Sequence, residues 1–339
     1  MEKRAWVGEL KRYARADWRK SLWQMVNTLV PYLGVNVLMA ILVMEGVPLP
    51  ALLPLALLGA GLLVRTFIIF HDCTHQSFFN SAAANRAVGF LTGVLTYTAY
   101  TDWQRCHMIH HGTVANLEKR GVGDIWTMTV EEYRESPWHL RIVYRFFRNP
   151  VVLFVISPVV LFVLVNRFPS RVSRKGEKAS TLLTDLALLG IVLLAHATIG
   201  LGVLAAVQLP IIFFASIFGV WMFYVQHQFE EVYWAGQEGW DHYRAAMEGS
   251  SYYRLPLVLH WFTGNIGFHN IHHLNSRIPN YHLRTCLDLI PEGEPVKAIG
   301  FRESLRTVGF QLYDPKGGRM VGFGDLGKRD ALVHVPKKV

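Results

Sequence analysis

Histidine, an uncommon residue, is gathered in three short runs of this chain: HDCTH at 71–75, HMIHH at 107–111 and HNIHH at 269–273. On a helix, residues three or four apart share a face. His71 and His75 therefore point together, and so do His107 with His110 and His111, and His269 with His272 and His273. The two adjacent histidines ending each later run diverge by about a third of a turn, so such a pair can serve two ions lying side by side. Imidazole suits iron, zinc, copper and nickel, so ligand type alone does not name the metal. The number says more. One ion takes roughly four to six such ligands, and eight histidines suffice for two ions with positions left open to water or dioxygen.

The remaining histidines divide by position. His139, His242, His282 and His334 stand alone and read as hydrogen-bonded structural residues. His196 lies about 20 Å along an apolar helix from its basic end, at 1.5 Å per residue, where a helix–helix hydrogen bond is expected rather than a ligand. His260 sits in an aromatic stretch near the third run, as a structural or supporting residue. His227 closes an apolar stretch at the level of His71 and is expected to be a ninth ligand. Cys73, Cys106 and Cys286 have no CxxC spacing and form no disulfide framework; they are not counted as ligands.

The elements that must position these rings are apolar and long. Hydrophobic residues make up 51% of the 339 and charged residues 17%, against about 25% charged in ordinary soluble domains. Residues 26–44, 51–70, 182–199 and 210–226 hold at most one formal charge each, and a bilayer core needs about 17–25 such residues of helix. Four buried helices of a large soluble core would be the alternative, but blocks this long and this free of charge predict an all-α polytopic membrane protein. Nothing at the N-terminus reads as a cleaved signal; Lys3, Arg4, Lys11, Arg12, Arg15, Arg19 and Lys20 make it basic. Because Lys and Arg in short loops mark the cytoplasmic side, both termini are expected inside. The loops 45–50 and 200–209, free of Lys and Arg, are expected outside, and all three runs then share the cytoplasmic face. Two shorter apolar stretches, 87–100 and 151–165, are predicted to be interfacial or re-entrant, the second broken at Ser157-Pro158. The chain reads as one domain over 1–339. It comprises an N-terminal segment (1–25), a membrane region with the first two runs in its cytoplasmic loop (26–228), and a helical cytoplasmic cap with the third run (229–339).

HxxxH, HxxHH and a late HxxHH among four spans resemble the integral-membrane fatty acid desaturases. The stretches GVGDIWTMTVEEY (121–133), YRFFRNP (144–150), QHQFEEVYW (226–234) and GSSYYRLP with WFTGNIGFHNIHHL (within 249–274) resemble the bacterial acyl-lipid branch, akin to delta-12/omega-6 enzymes. The resemblance covers nearly all of the chain beyond the first 20 residues. It implies that His71, His75, His107, His110, His111, His269, His272 and His273, with His227, hold two irons, with O2 as co-substrate. It also implies a cis double bond introduced into an acyl chain of a membrane glycerolipid, in the bacterial inner membrane. The acyl-CoA branch has an asparagine four residues before the ninth histidine, acting through a water; Phe223 stands there in this chain, a departure that weighs against acyl-CoA as substrate. No HPGG haem motif is present, so electrons are expected from a separate ferredoxin-type or b-type cytochrome donor.

Acceptors that orient the rings are sought in Asp72, Glu230, Glu231 and Asn265, with the glutamates equally readable as solvated surface. The formal charge of +9 suits anionic headgroups or an acidic donor; no nucleic-acid partner is expected. A fatty acid hydroxylase or another lipid oxygenase on the same scaffold is the alternative. A divalent-metal transporter would carry its ionisable ligands near the middle of its spans, whereas these lie at one end.

Overall fold

The computed structural model describes residues 5–327; Lys3, Arg4 and His334 lie outside them. Four helices are long and apolar enough to cross a membrane: α1 (Trp18–Met44), α2 (Leu53–Thr74, lengthened at its start by a 3₁₀ turn from Leu49), α7 (Lys175–Ala197) and α8 (Leu201–His227). The helix α2 is the inner one. In its most apolar stretch 61% of residues are buried, against 17% in α7, and Ala56, Ala60 and Leu63 pack with Met39 of α1 and Ile211 of α8. Leu182, Leu186, Leu193 and Leu194 of α7 stand exposed, as lipid-facing residues do.

Between α2 and α7 run α3 (Ala82–Leu95), α4 (Tyr100–Thr113), α5 (Trp138–Phe147) and α6 (Ser157–Val163). The first two form a hairpin beside α2 and α7, turning at Tyr97, which takes φ of 57°. The stretch predicted to break at Ser157-Pro158 stays helical there, a π-helical turn at Val152–Ile156 leading straight into α6; the bend comes earlier, at 148–151, where Trp138–Phe147 and Val152–Arg167 meet at 58°. Its end reaches the hairpin turn: Asn166 Nδ2 and Arg167 Nη2 both donate to the Tyr97 carbonyl, and Arg167 Nη1 pairs with Asp185 of α7 at 2.5 Å. Non-helical backbone at membrane depth needs such protein partners, since lipid offers none.

Two expectations are corrected. The outer loop read at 200–209 is helix from Leu201, leaving only 198–200 as the turn; Pro210 sits inside α8 without ending it, as Pro can in spanning helices. His196 faces outward rather than toward another helix.

Beyond α8 the cap is not purely helical. The strand β1 (Met128–Thr129) pairs in parallel with β4 (Leu312–Asp314), and β4 antiparallel with β5 (Arg319–Val321), while β2 (Tyr252–Arg254) pairs in parallel with β3 (Ala298–Gly300). Strands β1, β4 and β5 join the segment after the second histidine run to the end of the described chain. The third run forms α9 (His269–Leu274), followed by α10 (Asn280–Leu287).

Candidate metal centre

Each histidine run lies where a helix ends or begins, so its rings project from a rigid backbone. His71 is in the last turn of α2 and His75 is its C-cap; His107, His110 and His111 are in the second half of α4; His227 is the last residue of α8; and His269, His272 and His273 lie on α9. All nine side chains are buried, none above 8% exposed. Ring nitrogens of His71, His75, His107, His111 and His272 all lie within 4.8 Å of one another, as do those of His110, His227 and His273. His269 joins the second group, its Nε2 being 3.0 Å from that of His227 and 3.1 Å from that of His273. The groups touch, since the ring centroids of His111 and His273 are 4.2 Å apart.

The geometry fits cations. Nε2 of His111 is 3.1 Å from that of His107 and 3.0 Å from that of His272. Two imidazole nitrogens bound to one ion at about 2.0–2.1 Å, at right angles, would lie about 3.0 Å apart. A cation would also take up Nε2 of His71, His75 and His110, which are buried without a hydrogen-bond partner. Burial first, then the neighbouring imidazoles, holds His75, His107, His111, His269, His272 and His273 well below the ordinary imidazole pKa. Neutral rings are what a metal requires.

Supporting contacts aim several rings. Asp72 Oδ1 is 3.1 Å from His71 Nδ1, and its Oδ2 accepts from the backbone and side-chain amides of Asn280 at 2.7 and 2.8 Å. Gln24 of α1 donates to Asn280 Oδ1 at 3.1 Å, so α1, α2 and α10 together fix one ring. Asp124 Oδ1 is 2.6 Å from His110 Nδ1. Sequence reasoning passed over Asp124, although it lies in the stretch GVGD. Gly123 has φ of +74°, and a Cβ there would come within 3.1 Å of His110 Cβ; glycine lets the backbone press against His110 and deliver the carboxylate. Trp103 stacks on His107 with centroids 4.1 Å apart. Phe223 packs near His110 and His227, at 5.4 and 5.2 Å. It occupies the place where the acyl-CoA branch carries asparagine.

The other expected acceptors are engaged elsewhere. Glu230 pairs with Arg319 at 3.8 Å and Glu231 with Lys297 at 2.6 Å, both at the cap surface. Asn265 Nδ2 donates to the Asn280 carbonyl at 3.3 Å, behind the residue that holds Asp72. His260 stacks on Phe268 at 4.8 Å, away from the nine.

A family model described as fatty acid desaturase matches residues 47–303. The chain is 40% identical over 328 residues to a fatty acid desaturase of Bacillus subtilis, covering 97% of this chain and 91% of that one. It is 26% identical over 241 residues to an sn-1 acyl-lipid omega-3 desaturase (ferredoxin) of Synechocystis sp., covering 66% and 63%. It is also 26% identical over 253 residues to an sn-1 oleoyl-lipid 12-desaturase of Picosynechococcus sp., covering 69% and 67%.

Proposed function

The chain belongs to the fatty acid desaturase family, and on that premise we propose that it introduces a cis double bond into an acyl chain already esterified in a membrane glycerolipid. The observation that carries this reading is the convergence of nine buried imidazoles in two touching groups at the end of the spans. In the proposal His71, His75, His107, His111 and His272 hold one iron, and His110, His227, His269 and His273 the other. With dioxygen, two non-haem irons supply an oxidant strong enough to take two hydrogens from unactivated methylenes. The protein's share is to bind, orient and keep water out. Asp72 and Asp124 keep a proton on Nδ1 of His71 and His110, which leaves each Nε2 free for metal. Buried neutral rings add no negative charge, and the apolar surroundings of Ile69, Phe70, Tyr100 and Trp103 limit water near His71.

The donor is proposed to be a separate ferredoxin-type protein, with a b-type cytochrome as the other candidate; the names of two cyanobacterial relatives, which include ferredoxin, favour the former. Lys- and Arg-free turns on one side support an active site and termini on the cytoplasmic face, in a bacterial inner membrane. The proposed domain is single, with the membrane region 26–228 and the cap 229–339 acting as one unit. The delta-12 position is the first choice, with one relative named as a 12-desaturase. Metal analysis tests the centre: active protein should hold about two irons per chain by the ligand count, and stoichiometric zinc in active protein would contradict the proposal.

A further inference from the structure

The two groups differ in ligand number and in what lies outside them. Five histidines surround the first position and four the second. Trp103 lies flat on His107 of the first group. Beside the second group is a cavity of about 20 Å³, lined by His227, Phe223, Asp124, Val114 and Gln228 among others. That is room for about one water-sized molecule. It is polar on one side: Arg120, also in its wall, has a buried Nη1 with no hydrogen-bond partner. Phe223 lines this space beside His227 and packs near both His110 and His227.

We propose that this cavity is the port through which small neutral or anionic molecules, dioxygen in turnover, reach the four-histidine group, and that Phe223 is its gate. The inference rests on the metal-centre reading above. Fewer nitrogens leave more positions for an exogenous ligand, and His227 of that group lines the cavity. Arg120 Nη1 gives a polar ligand a donor on the way, while the Phe223 ring limits the size of what passes.

Azide binding tests the port without turnover. Azide is mixed with the cobalt(II)-loaded full-length protein and the rate of the visible-absorption change is recorded. Phe223→Trp fills the space and should slow binding by about tenfold or more, and Phe223→Ala should speed it, since an obstructed path lowers the association rate. Val114→Phe fills the same space from the other wall and should also slow binding, so the test survives misfolding of one variant. Met108→Ala, on the exposed face of α4, should leave the rate unchanged. Equal rates in the Phe223 and Val114 variants and the parent would overturn the port. Failure to bind cobalt at all would overturn the metal centre on which it rests, a separate and recognisable result. Under turnover, Phe223→Trp should raise the KM for dioxygen and leave the KM for lipid alone; a shift in the lipid KM only would assign Phe223 to the acyl path instead.

Discussion

Asp124 and His110 form the closest carboxylate–imidazole contact of the centre, at 2.6 Å against 3.1 Å for Asp72 and His71. Replacing a carboxylate that orients a metal-binding histidine costs about 10–100-fold in metal affinity, so Asp124→Asn should weaken iron binding by that order in a chelator competition. An affinity equal to the parent's would remove Asp124 from the centre. His110→Ala and His272→Ala remove one ring from each group and should lower the iron content and abolish activity; full activity in both would contradict the ligand assignment. The histidines were legible because three- and four-residue spacings report a shared helix face directly. Asp124 was not, because it lies 14 residues from His110 across a loop, and no period links them. Glu230 and Glu231 take the second of their two readings, solvated surface: they are near His227 in sequence, but the chain turns out of α8 at Gln228 and carries them to the surface.

At the scale of elements, the second histidine run depends on a close approach. A Cβ at Gly89 would lie 2.2 Å from the ring of Tyr100, which begins α4. Overpacking of this kind costs about 1–3 kcal/mol, so Gly89→Ala should lower thermal stability and iron content together; an unchanged melting temperature would show that α3 and α4 can part without cost. The ion pair of Arg167 and Asp185 gives a second check. Removing one partner of a buried pair leaves a bare charge and costs about 3–5 kcal/mol, whereas removing both is much milder. The pair is part-exposed, at 21% and 30% of its side chains, so the loss should fall below that range. Asp185→Leu should still be less stable than Arg167→Leu/Asp185→Leu, and the reverse order would deny the pair a structural role. The four spans were legible from uncharged blocks, whereas the bend before Val152 was not, because Pro158 sits early in α6, where its missing N–H is tolerated. The loop expected at 200–209 is short because the fourth span begins at Leu201, ahead of the block at 210–226, with Pro210 inside it, and the strands of the cap were invisible because none exceeds three residues.

For the whole molecule, the arrangement requires that every histidine run open on one side of the bilayer. Cysteines placed at Glu45 and Thr198, in the two turns free of Lys and Arg, should react with an impermeant reagent added from outside, and one at Lys119 only after the cytoplasmic face is exposed. Outside labelling at Lys119 would put the second run on the wrong face. Composition and periodicity made the membrane architecture legible, while the meeting of runs about 160 residues apart, as between His111 and His272, is a property of the folded chain alone. The claim that joins these scales is that nine imidazoles serve the oxidation of a lipid-borne chain. It is tested most directly by mass spectrometry of membrane lipids from a host that lacks the product, expressing this chain with a ferredoxin. Intact phospholipids should appear two hydrogens lighter, only with oxygen and reductant and not with His111→Ala. Products one oxygen heavier would make the enzyme a hydroxylase, and phospholipids unchanged while acyl-CoA is converted would contradict the lipid-borne substrate.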